Sequence, residues 1–280
     1  MTAKGLRENV FRTFLYVSVA VGLLALGALL YRVLSDGLGF LDSVLLFNAP
    51  STNPDRAGAR PAILATIWLL ALVFLMAVPG GIATALWLEE FAKKDRWYNR
   101  FLELNIQNLA GVPSIVYGIL GLAFLVRGVG LGRVLLAGAM ILALLVLPTV
   151  IISSREALRA VPDSIRQGGL ALGATRWQVT FRSVLPAALP GIATGSILAL
   201  SRAIGESAPL VMIGALTYVA FDPSPLGAFT ALPVQIFQWI GQPQKDFKLL
   251  AAAAIIVLLG ILLTMNAAAI LLRNKFQRKW

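Results

Sequence analysis

The chain has 280 residues, 58% of them hydrophobic and 13% charged, about half the charged share of an ordinary soluble domain. That is too little polar surface to face water, so lipid is the solvent for most of the chain. There is no Cys and no His, which excludes thiolate and imidazole nucleophiles, His general bases, Cys/His metal sites and disulfides. The formal charge of +11 then reads as basic residues crowded into cytoplasmic loops, not as a nucleic-acid surface.

Lys4, Arg7 and Arg12 precede an apolar run from Phe14 to Leu30. A signal peptide also starts basic and turns apolar. This run is too long for one, and Arg32 follows it without a small-x-small cleavage site, so it is expected to be an uncleaved first span at about 12–32. A span needs roughly 20 apolar residues. Five more segments qualify: about 61–88, with Pro79-Gly80-Gly81 inside it; 106–126; 132–153; a fifth from Pro190 to about Val219; and 249–272.

Orientation follows from the basic residues. With the N-terminus inside, the cytoplasmic segments hold Lys4, Arg7, Arg12, Lys93, Lys94, Arg96, Arg100, Arg155, Arg159, Arg166, Arg176, Arg182, Arg273, Lys275, Arg278 and Lys279. The outside holds fewer than half as many: Arg32, Arg56, Arg60, Arg127, Arg133, Lys245 and Lys248. Both termini are therefore expected in the cytoplasm. The outer loops 33–60 and 221–247 read as turns and short surface elements, the second around Asp222-Pro223-Ser224-Pro225. Glu89-Glu90 beside Lys93-Lys94 reads as the solvated end of the second span.

The cytoplasmic stretch 153–190 is too long for a simple turn. Pro162-Asp163-Ser164 is a helix start, with Ile165, Leu170 and Leu172 as apolar anchors. Gly173 ends that helix, and Thr175 caps a second one from Arg176 that carries Trp177, Val179, Phe181 and Val184. Leu185-Pro186 is expected to stop it and turn into the fifth span. Such a knob suits a groove on a partner or the lipid headgroups.

Arg202 and Glu206 are the charged residues well inside a predicted span. Each costs about 2.5–3.5 kcal/mol at a lipid-facing helix centre, so they face protein or water. Four residues apart, they share a helix face about 6 Å apart, with Gly195, Ala199 and Pro209 on the same stripe. They read either as an anion path, in which Arg202 grips paired oxygens, or as an ion pair that fixes helix register or meets a partner. Ser207, Ser114 and Tyr117 are neutral hydrogen-bonding candidates for the path. Pro113 with Gly118 also reads as a bend, for which Ser114 and Tyr117 supply packing.

Gly173, nine intervening residues and then Ser183-Val184-Leu185-Pro186 resemble the EAA loop of ABC importer permeases. Gly173, Leu185 and Pro186 match that pattern. Ser183 replaces a usual apolar residue, and Gln167-Gly168-Gly169 replaces Glu-Ala-Ala. Leu88-Glu89-Glu90-Phe91-Ala92, the stretch from Asn108 to Gly118 (NLAGVPSIVYG) and that from Ser201 to Leu210 (SRAIGESAPL) are similar to the phosphate branch of the family, PstA more than its sister PstC.

The resemblance implies an all-α integral membrane fold of the MetI-like type, with six transmembrane helices and a cytoplasmic coupling helix. It implies an N-terminal helix and external loop (1–60) and a permease core (61–280) that contains the coupling loop. In that scheme Gln167, Gly173, Ala174, Arg176, Trp177, Leu185 and Pro186 meet the ATPase, and Arg202, Glu206, Ser207, Ser114 and Tyr117 line the substrate path. Implied partners are a PstC-like permease in a heterodimer, a PstB-like ATPase dimer that carries ATP-Mg, an external PstS-like phosphate-binding protein and membrane lipid. The implied place is the bacterial cytoplasmic membrane. No cofactor is expected on this chain, and without a Gly-x-x-x-x-Gly-Lys-Ser/Thr loop no ATP hydrolysis is expected on it either. Two readings stay open beside phosphate import: another oxyanion or small polar solute as cargo, and a passive channel.

Overall fold

The computed structural model describes residues 3–93, 96–215 and 218–276, and those residues form helices and loops without a strand. Lys94, Arg278 and Lys279 of the charge pattern, and Leu216 and Thr217 of the fifth expected span, lie outside the described residues.

The chain opens with α1 (Ala3–Gly37), longer at both ends than its apolar centre. A short external hairpin of chain follows. Within it, Asp42 caps α2 (Ser43–Phe47) by accepting from Leu45 N at 2.8 Å. Pro61 in the first turn starts α3 (Arg60–Leu86). This helix runs on through one wide turn, Trp87–Phe91, closed by Ala92 N donating to Trp87 O at 2.8 Å.

The third expected span is not one helix. It is α4 (Trp97–Ala110) and α5 (Ser114–Gly121), which continues to Gly128, and the two are bent by 104°. The cause lies at Pro113, which has no N–H to give and pushes Val112 out of the helical region. An unbroken helix would have served the Leu109 carbonyl from position 113. That carbonyl accepts instead from Val112 N at 3.1 Å and from the Tyr117 hydroxyl at 2.9 Å.

Next come α6 (Leu135–Arg159) and the cytoplasmic pair α7 (Asp163–Ala171) and α8 (Arg176–Val179). Leu185-Pro186 does not stop the helix. A wide turn at Thr180–Val184 leads without interruption into α9 (Leu185–Gly205), with Pro186 in its first turn, where no N–H partner is needed. The fifth span therefore starts earlier than expected, and it also ends earlier. Pro209 cannot donate to the Gly205 carbonyl, Glu206 turns extended, and a short α10 (Ala208–Ile213) follows before Gly214 reverses the chain at φ +86°.

The outer loop hides α11 (Leu232–Gly241). Thr66 of α3 accepts from Leu232 N at 2.9 Å while donating to Ala62 O at 2.8 Å, so one hydroxyl docks this helix. The chain ends in α12 (Lys245–Phe276). Among the described residues, five helices are long and apolar enough to cross a membrane, and the bent α4–α5 pair makes six if it counts as one span.

The core is α6, sandwiched between α3 and α9. Along α6–α9 the backbones approach so closely that a Cβ at Gly195 would lie 2.3 Å from Ser153. Small residues replace hydrophobic collapse as the packing device inside lipid. Gly195→Ala is therefore expected to destabilise by about 1–3 kcal/mol, read as a lower thermal midpoint of the detergent-purified chain. Ser153→Gly should restore part of the loss. A parental midpoint for Gly195→Ala alone would contradict the close contact.

Candidate functional site

Two places bring chemistry-bearing residues together. The first lies at the end of the bundle that carries the α7–α8 loop. The wide turn after α3 aims both Glu89 and Glu90 inward, and both carboxylates are buried. The expectation of a solvated span end is overturned, because cations from other elements arrive in pairs. On α6, Arg155 and Arg159 stand one turn apart. Glu89 accepts from Arg159 Nε at 3.0 Å and from Arg155 at 3.4 Å. Arg155 also donates to Glu103 of α4.

Arg166 of α7 makes the densest set. It donates to Glu90 through Nη2 at 2.8 Å and Nε at 3.1 Å, to the carbonyls of Leu158 and Val161 at 2.8 and 2.7 Å, and to Asp163 at 3.1 Å. One planar guanidinium thus closes the end of α6, starts α7 and ties both to α3. Burial pulls its pKa down, but the Glu90 hydrogen bond and the charges of Glu90, Asp163 and Glu89 outweigh that and leave it above the ordinary Arg range. A raised folded pKa means the stabilisation is complete below the unfolded value and lost only at higher pH. Arg166 therefore contributes fully throughout the physiological range.

This anchor holds the expected coupling loop. Gly173 takes φ +81° at the end of α7, and Thr175 forms the capping box with Gln178. Gly169, one of the departures from Glu-Ala-Ala, packs where a Cβ would lie 2.7 Å from Val179. The α7–α8 contact therefore requires it. Trp177 stacks on Phe181 at 4.1 Å and lies 5.8 Å from Phe91. Ala174, Leu185 and Pro186 are half-buried at the base, whereas Gln167 and Arg176 are exposed. Leu172 is 90% exposed and Leu170 is exposed beside it, so these apolar residues face away from the chain's own core.

The second place is within the membrane. Arg202 sits in the last turn of α9 and Glu206 just past its end, with Nε to Oε1 at 3.3 Å. Arg202 is more than half exposed and Glu206 largely covered. Directly alongside, α5 packs on α10, with Gly118 against Pro209. Ser114 and Ser207 are half-buried on these two elements. Tyr117 is buried, and its hydroxyl is engaged at the α4–α5 break. The pair therefore lies where α9 ends and α10 begins, beside the bent α4–α5 span. Sequence reasoning missed Glu103 and also Asn266 of α12, whose Oδ1 accepts from Ser201 Oγ at 2.9 Å. Asn266 carried a signal, as a polar residue in an apolar span, whereas Glu103 stands among Arg100, Asn105, Gln107 and Asn108 and carried none.

A fold of this kind, with a cytoplasmic two-helix loop and broken spans, defines a membrane permease subunit. Residues 77–276 match the family "Binding-protein-dependent transport system inner membrane component", and the chain belongs to that family. Among relatives, the alignment with "Phosphate transport system permease protein PstA 1" of Mycobacterium tuberculosis (strain CDC 1551 / Oshkosh) is 31% identical over 273 residues, 96% of this chain and 89% of that one. With PstA of Haemophilus influenzae it is 31% over 267 residues, 94% and 92%. With "Probable ABC transporter permease protein YqgH" of Bacillus subtilis (strain 168) it is 36% over 203 residues, covering 70% of this chain and 64% of the relative, just under two thirds of that protein. In fold, the chain is similar to a subunit of the MetNI methionine ABC transporter (TM-score 0.60, 19% identity, 78% of this chain and 94% of that one). It is likewise similar to a subunit of a bacterial alginate ABC transporter (TM-score 0.66, 18%, 94% and 93%).

The cytoplasmic anchor makes a direct prediction. Arg166→Met leaves Glu90 buried without its partner and is expected to cost about 3 kcal/mol. Arg166→Lys should lose part of that, because a point charge cannot make the fork and both carbonyl bonds. Thermal unfolding in detergent, with limited proteolysis across residues 160–175, reads both. An Arg166→Met chain as stable and as protected as the parent would rule out the anchor.

Proposed function

We propose that this chain is the PstA-like transmembrane subunit of an ATP-driven importer that moves inorganic phosphate across the bacterial cytoplasmic membrane. The observation that carries the reading is the Arg202–Glu206 pair at the end of α9, beside the bent α4–α5 span, in a chain aligned over most of its length with proteins named as phosphate permeases. Arg202 stays charged and offers two parallel N–H donors to phosphate oxygens. Glu206 neutralises it in the absence of cargo and keeps affinity low, so that a doubly charged anion leaves as readily as it enters. Ser207 and Ser114 add neutral donors. Tyr117 serves the path indirectly, by holding the bend.

The remaining parts follow from the same reading. The exposed Leu170, Leu172 and Trp177 suit a groove on a PstB-like ATPase dimer, which holds ATP-Mg and hydrolyses it; Gln167, Gly173, Ala174, Arg176, Leu185 and Pro186 shape that contact. The Glu89/Glu90 anchor makes α3, α4, α6 and α7 respond together when the dock moves. A PstC-like permease completes the path, and a PstS-like protein delivers phosphate outside. Both termini lie in the cytoplasm, as the basic residues favour. Residues 1–60 form a peripheral helix and loop, and 61–280 form the core. Another oxyanion as cargo is the alternative, since Arg202 selects for charge and geometry and not for phosphorus.

Phosphate uptake by cells that carry the single and double variants, with membrane levels matched, tests the path. Arg202→Ala is expected to lower uptake about tenfold or more. Normal uptake by a folded Arg202→Ala chain would sink the anion-path reading. Recovery in Arg202→Ala/Glu206→Ala would make the pair structural. Uptake of a competing oxyanion at the same rate would favour the alternative cargo.

A further inference from the structure

A cleft of ≈ 680 Å³ opens beside the anchor at the cytoplasmic face, and its charge bookkeeping is asymmetric. Its acids are already engaged. Glu89 is held by Arg155 and Arg159, and Glu90 and Asp163 by Arg166. Three further cations line the same cleft, Lys93, Arg96 and Arg176. Among the described residues, none of them has a carboxylate within ion-pair distance.

A single exposed Lys or Arg needs no partner. Three on one concave wall, with Glu89, Glu90 and Asp163 neutralised and Asp95 outside the described residues, make a focused positive potential that favours an anion. The wall is also built. The buried Asn99 donates from Nδ2 to the Lys93 carbonyl at 2.6 Å, and Arg96 N donates to the same carbonyl at 3.2 Å, so both ends of that linker are pinned. Arg176 is set by the Thr175 capping box. One of the cations, Arg96, is followed by an exposed tryptophan, Trp97 (77% exposed). Exposed Trp beside a cation marks the level of lipid headgroups. The cleft therefore sits where phosphoryl groups are concentrated, and Arg is suited to bind them through paired donors.

We infer that this cleft is a binding site for a phosphoryl anion, either the headgroup of an anionic phospholipid or inorganic phosphate on the cytoplasmic side. It is separate from the Arg202 path. An anion there would bridge α8, through Arg176, to the α3–α4 linker, through Lys93 and Arg96. It would thereby fasten the second coupling helix to the core, which Arg166 does only for the first.

The test uses the full chain in nanodiscs of neutral phosphatidylcholine, with ³²P-labelled inorganic phosphate as probe. Saturable binding is expected. Lys93→Gln/Arg96→Gln/Arg176→Gln should weaken it by about tenfold or more, and the charge-conserving Lys93→Arg/Arg96→Lys/Arg176→Lys chain should keep most of it. In Arg202→Gln the component of binding that depends on Lys93, Arg96 and Arg176 should persist, whatever is lost at Arg202 itself, which separates the cleft from the transport path. A second arm adds phosphatidylglycerol and reads its retention by mass spectrometry. Displacement of phosphate by the lipid, together with retention lost in the neutralised triple variant, assigns the headgroup. Binding of phosphate without competition assigns the free anion. The inference is overturned if neither ligand depends on the three cations, or if phosphate binding disappears in Arg202→Gln and survives in the triple variant.

Discussion

Two carboxylates at the end of one apolar helix organise the cytoplasmic half of this protein. Glu89 and Glu90 are carried out of the membrane on α3 and then turned inward. A buried carboxylate without a partner costs several kcal/mol, so the surrounding elements must bring cations to this point. Arg155 and Arg159 fix the end of α6, Arg166 fixes α7, and Glu103 draws α4 into the same set. The positions of four elements are thus conditions for neutrality at one place. The pairing is worth little as net stability, because well-packed apolar residues could do as well. Its consequence is geometric: no one of the four can shift far without exposing a charge.

Inside the membrane the governing constraint is the backbone. A broken helix in lipid must find new partners for the groups it frees. At the α4–α5 break the Leu109 carbonyl is met by Val112 N, one turn tighter than in the helix, and by the Tyr117 hydroxyl. The two breaks, at Pro113 and ahead of Pro209, are brought face to face by the α5–α10 contact. Non-helical backbone at membrane depth is tolerated where it borders protein or water. The same junction holds Arg202 and Glu206, which themselves require protein or water. Broken backbone and intramembrane charge therefore have a common physical requirement, and they sit together because one polar environment meets both.

The parts of this architecture that were legible in the sequence are those set by local chemistry. Apolar length found the spans, Pro162-Asp163 found the start of α7, and Thr175 and Gly173 found the cap and the turn between the cytoplasmic helices. The misreadings share a cause. Pro113 and Pro209 each break a span, while Pro79, Pro148 and Pro190 lie inside helices that continue. A proline alone does not tell which, because the outcome depends on whether neighbours supply the missing donor. Pro186 was read as a stop because the wide turn before it leaves no mark in the residue pattern. Glu89-Glu90 looked solvated because their arginine partners are 66–76 residues away in sequence, beyond any local rule. The outer helix α11 was hidden for a similar reason: its anchor, Thr66, lies on a different span.

The two sites are also linked through the structure. Glu103 lies on α4, and α4 runs directly into the break at Gly111–Pro113. The far side of that break is α5, which packs on α10, and α10 follows Glu206 in the chain. A continuous path of packed elements therefore runs from Arg166 of α7, through Glu90, Glu89, Arg155 and Glu103, to the Arg202–Glu206 pair. A helix transmits displacement along its axis well, and a bend of 104° converts axial movement on one side into lateral movement on the other.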